Sequence, residues 1–103
     1  MGAKLQNWVT ILLKRVQGKK TTRVTVKYDA GFGNHLHLRG DGAGLSWNRG
    51  VPLKNVSSNR WVWETDDGFK ECNYKVLLND ERYEGGDNRI IACGKHIEIV
   101  PRF

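Results

Sequence analysis

From Thr21 onward apolar side chains recur at every second position, and that period governs what this chain of 103 residues can fold into. Successive side chains of an extended strand point to opposite faces, so period-2 apolar runs are half-buried strands. Val24, Val26 and Tyr28 share a face of TTRVTVKY. Leu36 and Leu38 share one in HLHLRG, with His35 and His37 opposite. Trp61 and Trp63 flank Val62 in RWVWE; Tyr74, Val76 and Leu78 alternate in FKECNYKVLLND; Ile97 and Ile99 alternate in KHIEIV. Turn residues separate these runs at intervals of roughly 8–12 residues, the signature of an all-β sandwich or barrel.

The first twenty residues follow a different period. Leu5, Trp8, Val9, Leu12, Leu13 and Val16 form one stripe at helical spacing, and Gly18 supplies a stop. The expected organisation is an N-terminal amphipathic helix with a basic linker over 1–20 and one β-sandwich over 21–103. The stripe needs a cover: the β domain, a second copy, a neighbouring domain or a membrane interface. The run WVTILL (8–13) is far shorter than the roughly 18 residues of a membrane span. It also lacks the small-residue cleavage site of a signal peptide. Localisation therefore stays open.

The net charge of +6 is concentrated at one end. Residues 1–28 hold seven basic side chains and no acidic one, whereas residues 29–103 hold ten basic and eleven acidic. An arm of this kind attracts polyanions or is simply a solvated helix face. The β region has no positive excess, which disfavours nucleic acid, and a membrane partner is disfavoured too.

Catalytic chemistry finds little support. His35 and His37 share a strand face, but His96 is the only other histidine, so no metal set is expected. The carboxylates are scattered among turns, whereas glycoside hydrolysis needs two across a cleft. Gly40-Asp41-Gly42-Ala43-Gly44 precedes a strand, not the helix N-terminus that holds phosphate. Arg39-Gly40-Asp41 spells an adhesion tripeptide and is read as coincidence. Cys72 and Cys93 have no zinc spacing; free thiols and one disulfide both remain open. The expectation is no enzyme, no cofactor and no metal.

The aromatics separate into two groups. Trp61 and Trp63 alternate in a strand and read as core. Trp47 lies between Ser46 and Asn48 in a Gly-rich stretch without alternation, and Tyr83 lies between Arg82 and Glu84 before a GGDN turn. Such rings suit a surface contact.

In this order, LHLRGDG, GLSWNRGVPLK, RWVWE, FKECNYKVLLND and YEGGDNR resemble the starch- and glycogen-binding carbohydrate-binding modules, families twenty and forty-eight. The resemblance covers about four-fifths of the chain, from Thr22 to the end. It implies an immunoglobulin-like antiparallel β-sandwich with a sugar site at Trp47, Lys75, Tyr83 and Asn88, with Glu84 matching the family glutamate. Tyr83 departs from the pattern, which usually has Trp there; the smaller ring implies weaker binding. The implied function is non-catalytic binding of α-glucan polysaccharide or oligosaccharide. The alternative is a protein-interaction or regulatory sandwich without sugar binding, docking or self-associating through the N-terminal helix.

Overall fold

The computed structural model describes residues 20–103; the expected N-terminal helix lies outside the described residues. β1 (Thr22–Lys27) shows how the alternation works. Thr22, Val24 and Val26 are buried, while Arg23 and Thr25 are only half-covered. β5 (Arg60–Thr65) lies antiparallel to β1, setting Val24 against Trp63 and Val26 against Trp61. β9 (His96–Ile99) runs parallel to β1 on its other side, and β4 (Lys54–Ser57) edges β5. The first sheet is therefore ordered β4-β5-β1-β9.

The second sheet centres on β6 (Glu71–Leu78). On one side it pairs with β2 (Leu36–Asp41), which is edged by β3 (Val51–Pro52). On the other it pairs with β7 (Arg82–Tyr83) and β8 (Arg89–Ala92). Its inward residues Leu36, Leu38, Cys72, Tyr74, Val76 and Ile91 join Val24, Val26, Trp61 and Trp63 of the first sheet in one core. Two sheets sharing a core make a β-sandwich, as the alternation predicts.

Both strand tryptophans are buried, and Trp61 Nε1 donates to the Tyr28 carbonyl at 3.1 Å. Gly40 faces Tyr74 across β2 and β6. A Cβ at Gly40 would overlap the Asn73 carbonyl and crowd Leu45, so only glycine lets the phenol ring pack there. The β6–β7 connection is a tight hairpin. Asn79 and Asp80 have φ of 54° and 57°, and Glu81 N donates to Leu78 O at 3.1 Å. Positive φ at both central residues is what a type I′ turn requires, and Asn and Asp tolerate it.

Core and surface tryptophans should separate in a denaturation experiment. Trp63→Ala is expected to lower stability by about 3–5 kcal/mol in urea titration. Trp47→Ala, from a half-exposed loop, should lower it by about 1 kcal/mol or less.

Candidate functional site

The outward face of the second sheet carries the aromatic loop. Across β2 and β6 its residues pair His37 with Leu77 and Arg39 with Lys75, and Tyr83 flanks Leu77 from β7. The alternation expects a solvated residue at 77, yet Leu77 is fully buried. The segment Leu45–Gly50 folds back over this face. Gly40 N donates to Ser46 O at 3.3 Å, and Gly50 N donates to Asp80 Oδ2 at 3.1 Å. A side chain at Gly50 would overlap the Asp80 carboxylate and come within 2.9 Å of the His37 Cβ. Glycine is needed there because the loop lies directly on the sheet.

Arg39 ties these pieces together. Its Nε donates to Asp80 Oδ1 at 2.8 Å, and its Nη2 donates to the Asp80 carbonyl at 3.0 Å. Its Nη1 donates to the Trp47 carbonyl at 3.1 Å and to Tyr83 Oη at 3.2 Å. The guanidinium carbon lies 5.7 Å from the centre of the Tyr83 ring, within cation–π range. The Arg39 hydrogen bond holds the Asp80 carboxyl below its ordinary value, against the opposing cost of desolvation and with help from the Gly50 amide.

The structure thus brings Trp47 and Tyr83 to the same arginine, with Trp47 half-buried and Tyr83 43% exposed. Lys75 lies on the same face, cross-strand from Arg39. Its Nζ donates to the carbonyls of Glu84, at 3.0 Å, and Gly86, so it ties down the loop that carries Asn88. Asn88 is exposed.

Glu84 departs from the surface role implied for it. It is 2% exposed and its carboxylate is fully occupied. Oε2 accepts the Val76 amide at 2.8 Å, and Arg89 reaches both oxygens, its Nη2 donating to Oε1 at 2.8 Å. Glu84 is a buried brace between β6 and β8, with no oxygen left to offer a ligand. Sequence could not show this, because an acid beside an exposed Tyr reads as surface. Arg39 and Asp80 were also missed as site residues. Arg39 sits at an outward strand position and Asp80 in a turn, and 41 residues separate them.

Other sequence features resolve differently. His35 and His37 do not act together: His35 lies edge-on to Trp61, ring centres 6.1 Å apart, while His37 sits under Gly50. Arg39-Gly40-Asp41 lies in β2 with its arginine engaged and its glycine buried, so it is not displayed as a tripeptide. Cys72 and Cys93 are free thiols, and burial pushes Cys72 up to about 11. A separate cleft of about 390 Å³ is bordered by Asn34, His35, Asn55, Ser58 and Trp61, with fully exposed Phe32 at its rim between Gly31 and Gly33. Phe32 is not legible from the sequence, where its flanking glycines mark only a turn.

No protein-family model matches the chain, and no curated protein matches it. Among solved structures it is similar to a Glycoside Hydrolase Family 15 glucoamylase from Hypocrea jecorina, at TM-score 0.62 and 14% identity. The match covers 82% of this chain and 17% of the glucoamylase, so the chain spans about a sixth of that protein's length. At this identity the likeness is one of fold.

Two measurements check the site's electrostatics. Glu84→Ala orphans the buried Val76 amide and removes the partner of Arg89, whose side chain is 30% exposed; it should cost about 2–3 kcal/mol of stability by urea titration. Asp80 has a lowered folded-state pKa, so its contribution is complete above the unfolded value near 3.8 and is lost only as pH falls through the lower folded value. The stability difference between wild type and Asp80→Asn should therefore stay flat from pH 7 to pH 5 and close only in stronger acid.

Proposed function

We propose that this domain binds α-glucan without cutting it, on the face formed by Trp47 and Tyr83. One observation carries the reading: a single arginine holds both the backbone carbonyl of the half-buried Trp47 and the hydroxyl of an exposed phenol. A pyranose ring has an apolar face and a polar rim. Two rings held beside each other can cover successive sugar faces, and burial of that apolar surface drives association. Asn88 is exposed in the loop that Lys75 holds, with an amide that both donates and accepts toward hydroxyls. Lys75 contributes by holding the Asn88 loop.

The non-catalytic part of the reading is supported by two carboxylates of this region whose oxygens are already taken. Asp80 is bound to Arg39 and Gly50, and Glu84 to Arg89 and Val76. Glycoside hydrolysis needs one free acid and one free base or nucleophile across a sugar. The fold likeness to part of a protein named as a glucoamylase agrees with a carbohydrate ligand.

Covering one ring is worth about 1.5–3 kcal/mol. Two rings supply about 3–6 kcal/mol before association costs, so with hydrogen bonds to the sugar rim offsetting part of those costs the expected Kd is on the order of 0.1 mM or weaker. The test is titration with maltoheptaose and with β-cyclodextrin to 10 mM, followed by tryptophan fluorescence and calorimetry. Saturable binding should weaken about tenfold or more in Trp47→Ala and severalfold in Tyr83→Ala, while oligosaccharide length stays unchanged on incubation. A flat titration at 10 mM, or binding indifferent to both substitutions, removes the glucan reading and leaves protein interaction in its place.

A further inference from the structure

We propose that Arg39 is the positioning residue of this surface: through Asp80 it sets the Trp47 turn and the Tyr83 ring in their places before a ligand arrives. The ligand in this proposal rests on the glucan reading; the positioning itself does not.

The parts come from two stretches far apart in sequence, the segment after β2 and the β6–β7 hairpin. Trp47 lies in the segment between β2 and β3, Asp80 in the β6–β7 turn and Tyr83 on β7. β7 has only two residues, and its pairing places Tyr83 beside Leu77 without fixing the ring. The Trp47 turn has little of its own beyond Asn48 N donating to Ser46 Oγ at 3.0 Å. Neither ring belongs to the hydrophobic core. Outside that core, the Arg39 contacts reach the Trp47 backbone carbonyl and the Tyr83 hydroxyl, so they set the turn that carries the indole and the position of the phenol.

Arg39 meets that need because of its shape. A guanidinium is planar and presents five N–H donors in a rigid fork. Here Nε and Nη2 grip the Asp80 side chain and carbonyl, which locks the plane. Nη1 then points one way only, where it meets both the Trp47 carbonyl and the Tyr83 hydroxyl. Asp80 completes the frame by accepting the Gly50 amide, at the far end of the turn from Ser46. Asp80 has a left-handed backbone, φ 57°, and its carboxylate accepts from both Arg39 and Gly50. A lysine could pair with Asp80, but a single ammonium cannot span the same four acceptors.

A ring oriented in advance loses less conformational freedom on binding. This gives the Tyr83 ring a compensation for its small area: its position is fixed by a bond that an indole, having no hydroxyl, could not make.

The test uses the full chain labelled with 5-fluorotryptophan, with the Trp47 resonance identified by its loss in Trp47→Phe. Arg39→Lys keeps the charge and Arg39→Gln removes it. Both are expected to shift or broaden the Trp47 line in the absence of ligand, leave the Trp61 and Trp63 lines in place, and weaken β-cyclodextrin binding about fivefold to tenfold. Tyr83→Phe, which deletes only the hydroxyl, should weaken binding severalfold in wild type and add little in Arg39→Lys, since partners in one network are not additive. If Arg39→Gln unfolds, Arg39→Lys carries the comparison; if both unfold, Tyr83→Phe must itself alter binding or the Trp47 line. An unchanged Trp47 line with unchanged affinity in Arg39→Lys overturns the proposal, as does full additivity with Tyr83→Phe. If wild type binds no sugar, the glucan reading fails alone, and the ligand-free Trp47 line still decides whether Arg39 positions the turn.

Discussion

Burial of one face of each strand is the constraint on which everything else in this domain hangs. β1 sits between β5 and β9 with Val24 and Val26 fully enclosed, and β6 answers from the other sheet with Cys72, Tyr74 and Val76. Once those faces meet, the outward residues of β2 and β6 have no choice of position: Arg39 and Lys75 must stand side by side. The candidate site is thus a consequence of core register. A one-residue slip in β2 would turn Arg39 into the core and carry the polar network away with it.

Two carboxylate–arginine pairs do different work on that frame. In the first pair only the acid is sealed: the Glu84 side chain is 1% exposed and also accepts a strand amide, while that of Arg89 stays 30% exposed, and together they fasten β8 and the loop after β7 to β6. Arg39 and Asp80 are partly open, side chains 19% and 27% exposed, and the arginine spends its remaining donors on the aromatic segments. The first pair resists unfolding because removing Arg89 strands the buried Glu84 charge, and removing Glu84 orphans the Val76 amide. The second is near water, and its value lies in orientation. Solvent screening keeps its direct contribution to stability small.

Much of the fold was readable from the period alone. The runs around Val24, Leu36, Trp61, Tyr74 and Ile97 all became strands, and Trp61 and Trp63 entered the core as their alternation implied. Of the site, the loop position of Trp47 and the exposure of Tyr83 were legible because polar neighbours and turn residues mark solvated segments. Glu84 and Leu77 were not. Local pattern assigns an acid to solvent and an outward leucine to the surface. Here an arginine five residues on covers one, and a segment folding back across the sheet covers the other.

What the sequence determined by itself was therefore the strand content, the inward residues and the separation of core from surface tryptophans. Those follow from a two-residue geometric period that each segment carries within itself. Only the tertiary structure decided that Arg39, Asp80, Trp47 and Tyr83 belong together. Their contacts join residues up to 44 positions apart. Such pairing depends on strand order and register, which a hydrophobic pattern constrains only after the sheets have closed.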